Sequence, residues 1–328
     1  MMIVVFGSNV LDLFIHLPDL PKKDTAVFLD NHDEAPGGKG ANQAVAAARA
    51  GADVRFFGAL GKGGHGRQML ENLQEQNINT SGIEILDMPS GLATIFVDEE
   101  DGTHKVVVSQ GANLKARQIS VPDNLLTKDT IVLVQGELPM VETEALIARA
   151  KKSGARTVMN FAPATQALST EMLQNLDYII LNEHEADLVG QSQGMQTQDK
   201  AAFAKELYDR FKLVTLVTLG GVGSLVCSGE GVLMVPPLKI KPVDTIGAGD
   251  AYTGYFCAAL DQGKDFETAL KWATVAGSLA CTKVGAQTAL PKQEDVSERV
   301  GEITINRLTP TNGGQPVPSS DPDKRLRA

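Results

Sequence analysis

The stretch "PVDTIGAGDAYTGYF", Pro242 to Phe256, sets one acidic residue, Asp250, directly behind Gly247, Ala248 and Gly249, and small residues run on from it as a helix. Residues with almost no side chain leave backbone N–H groups bare, and a helix start adds free donors and the positive end of its dipole. Such a step can act as an anion hole for phosphoryl oxygens. Asp250, in the first turn beside it, could then accept a proton from an incoming hydroxyl. Phosphoryl transfer passes through a loose transition state in which positioning and charge stabilisation dominate, so an ordinary carboxylate is basic enough. A merely structural helix-start aspartate would carry the same local signature.

A second glycine-rich stretch, "PGGKGANQAVAAARAG" from Pro36 to Gly51, puts Gly37, Gly38 and Gly40 around Lys39 and opens an alanine-rich helix. Glycine allows close backbone approach, the helix start supplies N–H groups, and Lys39 and Asn42 add polar reach. A small polyhydroxylated ligand or a phosphate would both suit. A third stretch, "GKGGHG" from Gly61 to Gly66, satisfies G-x-G-x-x-G between a strand-like and a helix-like segment, with Glu84 downstream. It keeps open a nicotinamide-dependent oxidoreductase. The pattern is short, however, and glycine turns between strand and helix are common. No G-x-x-x-x-G-K-[ST] occurs.

Elements able to position these residues are legible as β-branched runs ("IVVF", "VRFF", "TIVLV", "RTVMNF", "LDYIIL", "LVTLVTL") alternating with amphipathic segments such as "KAAFAKELYDRFK". The alternation predicts a parallel sheet with helices on both faces, whose ligands gather beyond the carboxyl ends of its strands. Two regions, about 11–36 and 91–110, break the rhythm and read as strand pairs, the second turning at "DEEDG"; together they predict a small sheet acting as a lid. The domain is expected over 1–305. The segment 306–328, rich in Pro, Gly, Ser and charge from Thr309, is expected to be disordered. Thirty Lys and Arg against forty Asp and Glu give a net charge of −10, which disfavours nucleic acid and anionic membrane as partners. Cys227, Cys257 and Cys281 lie far apart in apolar contexts without a CxxC spacing, as buried thiols of a reducing, cytoplasmic compartment would. No apolar run is long enough to span a bilayer.

Taken together, "GGKGANQA" and "DTIGAGD", about two hundred residues apart in such a chain, resemble the ribokinase family of carbohydrate kinases, also called the PfkB family, over roughly residues 1–300. The resemblance implies a ribokinase-like three-layer α/β/α domain with a central, mostly parallel sheet and a small β-sheet lid. It implies ATP-dependent phosphorylation of a small sugar, D-ribose at its 5-hydroxyl first, with a nucleoside as the alternative acceptor. It gives Asp250 the role of base, and Gly247, Ala248 and Gly249 that of anion hole. Asp12, Gly38, Lys39, Asn42 and Glu137 fall on sugar-binding positions. Asn182 and Glu185 of "LNEHEADL" fall near phosphates and Mg²⁺, with Glu185 acting on the ion through water. Thr218, Gly220 and Gly223 of "VTLGGVGS" would line the ATP site, and Asp244, Ile246, Ala280 and Gly285 would surround a monovalent cation, K⁺. A homodimer through the lid is implied as well. Val10, Gly63 and Ala289 depart from the family pattern, Val10 where an asparagine would contact a hydroxyl. For a nucleoside, Phe14 and Phe96 are the aromatic candidates in the lid.

Overall fold

The computed structural model describes residues 1–17, 26–98 and 104–308. The tail expected from Thr309, the "DEEDG" turn apart from Asp98, and the middle of the first lid segment lie outside the described residues. The chain opens with β1 (Met2–Phe6), passes through β2 (Val10–Leu17) and β3 (Asp33–Gly37) into α1 (Lys39–Arg49), and returns as β4 (Val54–Gly61), α2 (Gly64–Glu75) and β5 (Asn79–Leu86). Then follow β6 (Gly91–Asp98), β7 (His104–Ser109), β8 (Thr130–Gln135), α3 (Met140–Lys152), β9 (Arg156–Asn160), α4 (Thr170–Asn175), β10 (Tyr178–Asn182) and α5 (Glu183–Gln193). The last third holds α6 (Lys200–Phe211), β11 (Val214–Thr218), β12 (Ser224–Ser228), β13 (Gly231–Val235), α7 (Ala248–Asp261), α8 (Phe266–Ala280), α9 (Gln293–Arg299) and β14 (Asn306–Leu308).

The six β-branched runs become β1, β4, β8, β9, β10 and β11, the parallel centre of a sheet ordered β14-β13-β12-β11-β10-β9-β8-β1-β4-β5. Central strands with apolar residues on both faces need cover on both faces. In β1, Ile3 and Val5 pack into one core with the alanines of α1 and with Tyr255 and Phe256 of α7, while Val4 and Phe6 pack into the other with Leu146, Ile147 and Phe203. Beyond β11 the sheet turns antiparallel, and β14 pairs with β13, so the described fold runs three residues past 305.

The chain leaves β1 toward β4 and β5 on one side, then crosses back to β8 on the other. The β1–β8 boundary is therefore the switch point of the sheet, where a ligand crevice opens. A second sheet, β3-β2-β6-β7, comprises the described parts of both lid segments. Side chains alternate along β2. Leu11 packs against Leu60 and Met69 of the body, while Val10, Asp12 and Phe14 share the opposite face, Val10 and Phe14 beside Ala93 and Ile95 of β6. Phe96 pairs with Ile15, on the face away from Asp12. Along the outer edge strand β7, Val106, Val107 and Val108 are all exposed.

Candidate active site

α1 begins without a side-chain cap. Its N-cap, Gly38, has φ 88°, a left-handed conformation that residues with a Cβ adopt only at a cost. The free N–H groups are met from the switch point instead. Lys39 N donates to Glu137 Oε2 at 2.8 Å, Ala41 N to Ser8 O at 2.9 Å, and Ser8 Oγ to the same Glu137 oxygen. Ser8 follows β1 and Glu137 follows β8, so one carboxylate joins both strand ends to the positive end of a helix. Asp12 reaches the site from β2 in the lid rather than from the end of a main-sheet strand. A Cβ on Gly37 would lie 2.1 Å from its carboxylate, so the glycine leaves the space that this carboxyl occupies.

α7 starts at Gly247, φ 76°, again left-handed, where a Cβ would press on the Ala286 backbone at 3.1 Å. Two residues on, a Cβ at Gly249 would meet nothing within 4 Å, so the helix start lies open. Asp250 is nonetheless buried, at 5% exposure. Close packing of α1 on α7 makes this possible: a Cβ on Gly254 would lie 2.5 Å from that of Ala46. The contact brings the two motifs together. Asn42 Nδ2 donates to Asp250 Oδ2 at 3.0 Å, and Gln43 Nε2 to Asp250 Oδ1 at 2.9 Å. Asn42 Oδ1 is buried without a partner among the described residues, an acceptor suited to a ligand hydroxyl.

Electrostatically the site is one unit. Burial, then Glu137 and Asp250, push the Asp12 carboxyl up to about 7. Glu137 and Glu185 are also raised, each chiefly by burial. Lys39 is held above its ordinary value, first by Asp250 and then by Glu137 and Glu185, against the cost of its burial. One ammonium therefore sits among three carboxylates, and its N–H groups suit an anionic phosphoryl group or sugar hydroxyls.

The remaining predicted residues lie further along the carboxyl edge. Asn182 and Thr218 are register partners at the ends of β10 and β11. Asn182 caps α5 through a reciprocal pair with Glu185: Glu185 N donates to Asn182 Oδ1 at 2.8 Å, and Asn182 N to Glu185 Oε2 at 2.7 Å. Thr218 Oγ1 donates to Leu181 O. In the turn after β11, a Cβ at Gly220 would meet nothing, whereas one at Gly223 would strike Val235 O at 2.1 Å. Asp244 receives Ile246 N at 3.0 Å and Gly285 N at 2.9 Å, tying the segment before Gly247 to the loop after α8, whose last residue is Ala280. Gly63 sits at the start of α2, where a Cβ would meet open space, and Ala289 is buried.

Sequence reasoning missed Ser8, Gln43, Gln135 and Asn160, all buried polar residues within hydrogen-bonding reach of the site. Only Gln43 carried a signal, an amide on the α1 stretch next to Asn42.

Comparison with known proteins adds to this geometry. The model of the pfkB family carbohydrate kinases matches residues 1–293. Ribokinase of Bacillus subtilis is 33% identical over 90% of the chain and 98% of its own length. Deoxyribokinase of Salmonella typhimurium is 31% identical over 90% and 97%. The structure of Arabidopsis thaliana ribokinase complexed with ribose and ATP superposes with a TM-score of 0.82 at 27% identity, covering 91% of this chain and 98% of that one.

Proposed function

The chain belongs to the pfkB family of carbohydrate kinases, and from that premise we propose that it transfers the γ-phosphoryl group of ATP to the 5-hydroxyl of D-ribose, with Asp250 as general base. The observation that carries the reading is the Asn42–Asp250 hydrogen bond, which joins the polyol-type stretch to the helix start behind "GAG". Asp12, Gly38, Lys39, Asn42 and Glu137 would hold the sugar: carboxylates accept from vicinal hydroxyls, and Lys39 donates. Asp250 would take the proton of the attacking hydroxyl, and the open N–H groups of Gly247, Ala248 and Gly249 would receive the transferred oxygens. Asn182, Thr218, Gly220 and Gly223 would line the nucleotide. The oxidoreductase reading of "GKGGHG" gives way to the family match.

Among the described residues, no group of three or more His, Cys, Asp or Glu could hold a metal ion. That fits Mg²⁺ carried mainly by substrate phosphates and water, with Glu185 ordering a bound water. The ion would screen phosphate charge. The oxygen donors of Asp244, Ile246, Ala280 and Gly285 suit a hard monovalent cation, and K⁺ there would stiffen the approach to the anion hole. The exposed valines of β7 suit pairing with a second copy through the lid edge. Among the described residues no helix is long and apolar enough to cross a membrane, and we take the chain to work in the cytoplasm.

A second acceptor, 2-deoxy-D-ribose, is favoured by Val10, a buried apolar residue on the same lid face as Asp12, and by the deoxyribokinase relative. The test is ADP release across pentoses, deoxypentoses, hexoses and nucleosides, with the phosphorylated position read by ³¹P NMR. Turnover with ribose or deoxyribose at C5 is expected. Exclusive turnover of nucleosides or hexoses would replace the reading.

A further inference from the structure

We propose that Gln43 is a positioning residue for proton abstraction, its side-chain amide locked by Asn160 and Gln135 so that Asp250 meets an N–H and never a carbonyl. The proposal rests on the reading of Asp250 as base. Its root is backbone. Asn160 Nδ2 donates to Ile180 O at 3.3 Å, which turns Asn160 Oδ1 toward α1. That oxygen accepts from Gln43 Nε2 at 2.8 Å, and Gln135 Nε2 donates to Gln43 Oε1 at 2.8 Å. A flipped Gln43 amide would set oxygen against oxygen at both Asn160 and Asp250, whatever the orientation of Gln135, whose Oε1 has no partner among the described residues. With one orientation left, the second Nε2 proton goes to Asp250 Oδ1 at 2.9 Å.

Gln43 is 0% exposed, Gln135 2%, Asp250 5% and Asn160 7%, so water does not replace these partners freely. Gln135 and Asn160 are register partners at the ends of β8 and β9, and they hold the amide from rigid strands. Asn42 occupies the other carboxylate oxygen. With an N–H aimed at each oxygen, Asp250 is kept as an acceptor, and its rotation about the carboxyl axis is fixed. A fixed carboxylate keeps a lone pair turned toward the incoming hydroxyl. Asp12, Lys39, Glu137 and Glu185 all lie close enough to feel the charge of Asp250.

The test uses the full chain. Gln43→Leu is expected to lower kcat about 30-fold, with KM for ATP within about threefold. Gln135→Leu, which touches no atom of Asp250, lowers kcat by about threefold to tenfold by freeing the amide. Gln43→Glu preserves shape and covers the case in which Gln43→Leu does not fold. There the introduced carboxyl can donate to Asp250 only while protonated, so turnover falls as pH rises, along a limb absent from the parent protein. A Gln43→Leu or Gln43→Glu enzyme within about twofold of the parent at every pH overturns the proposal. A readout independent of turnover is the Gln43 side-chain amide in ¹⁵N-labelled, ligand-free protein: Asp250→Ala moves one Nε2 proton resonance strongly and its geminal partner little. If neither moves, the contact is not made and the proposal falls. A parent protein that phosphorylates no sugar sinks the functional reading, while the amide resonances still decide the contact.

Discussion

Replacing Asp12 by Asn tests the electrostatics of the site without touching the base. Asp12 is pushed from 3.8 up to about 7 by burial, then by Glu137 and Asp250. In the folded, ligand-free protein it therefore keeps a proton that the unfolded chain releases near pH 4. The folded state binds more protons across that window, so stability falls as pH rises from about 4 and levels off near 7. At about 1.4 kcal/mol per unit, the change between about pH 5 and pH 8 is about 2–3 kcal/mol, or roughly 5 °C in Tm for a chain of this size. Asp12→Asn removes this slope, so the variant gains on the parent as pH rises. In the parent, kcat/KM for the sugar drops below about pH 7, because a protonated Asp12 no longer accepts from two hydroxyls; in the variant that limb is lost. Calorimetry of both proteins from about pH 5 to 8.5, with kcat/KM over the same range, checks both expectations. A Tm difference that does not change with pH would refute the reasoning.

Two further outcomes follow from the helix start and its flanking loop. Gly249→Ala should raise stability by about 0.5 kcal/mol, since its Cβ meets nothing, yet cost at least about tenfold in turnover by filling the space of the phosphoryl oxygens; equal turnover would move the anion hole elsewhere. Turnover should rise with K⁺ in the parent and lose that response in Asp244→Ala, which releases Ile246 N and Gly285 N; an unchanged K⁺ titration in the variant would remove the cation from this loop.

The central strands were legible because a parallel sheet covered on both faces needs near-continuous apolar runs such as "IVVF", and few other elements do. The two glycine motifs were legible because bare backbone at a helix start has a composition of its own. β14 was not, since "NRL" is exposed along its length and is held by main-chain pairing with β13. The amide chain Gln135–Gln43–Asn160 was illegible for a different reason. Its members come from two strand ends and a helix, 92 and 117 residues from Gln43, and an amide in sequence does not declare its partner. Asp12 and the lid segment that contains it, about 11–36, could both be singled out, but its pairing with Ala93 and the face it shares with Val10 and Phe14 follow from register with β6.

The central claim is that Asp250 takes the proton of a sugar hydroxyl beside the phosphoryl group. Asp250→Asn keeps the shape of the side chain and removes the base. The decisive measurement is single-turnover phosphoryl transfer from ATP to ribose or deoxyribose, with ATP affinity measured by calorimetry on the same samples. A fall of about 10²–10⁴ in the transfer rate, with ATP affinity within about threefold of the parent, is the predicted result. Transfer within about threefold of the parent would contradict the account.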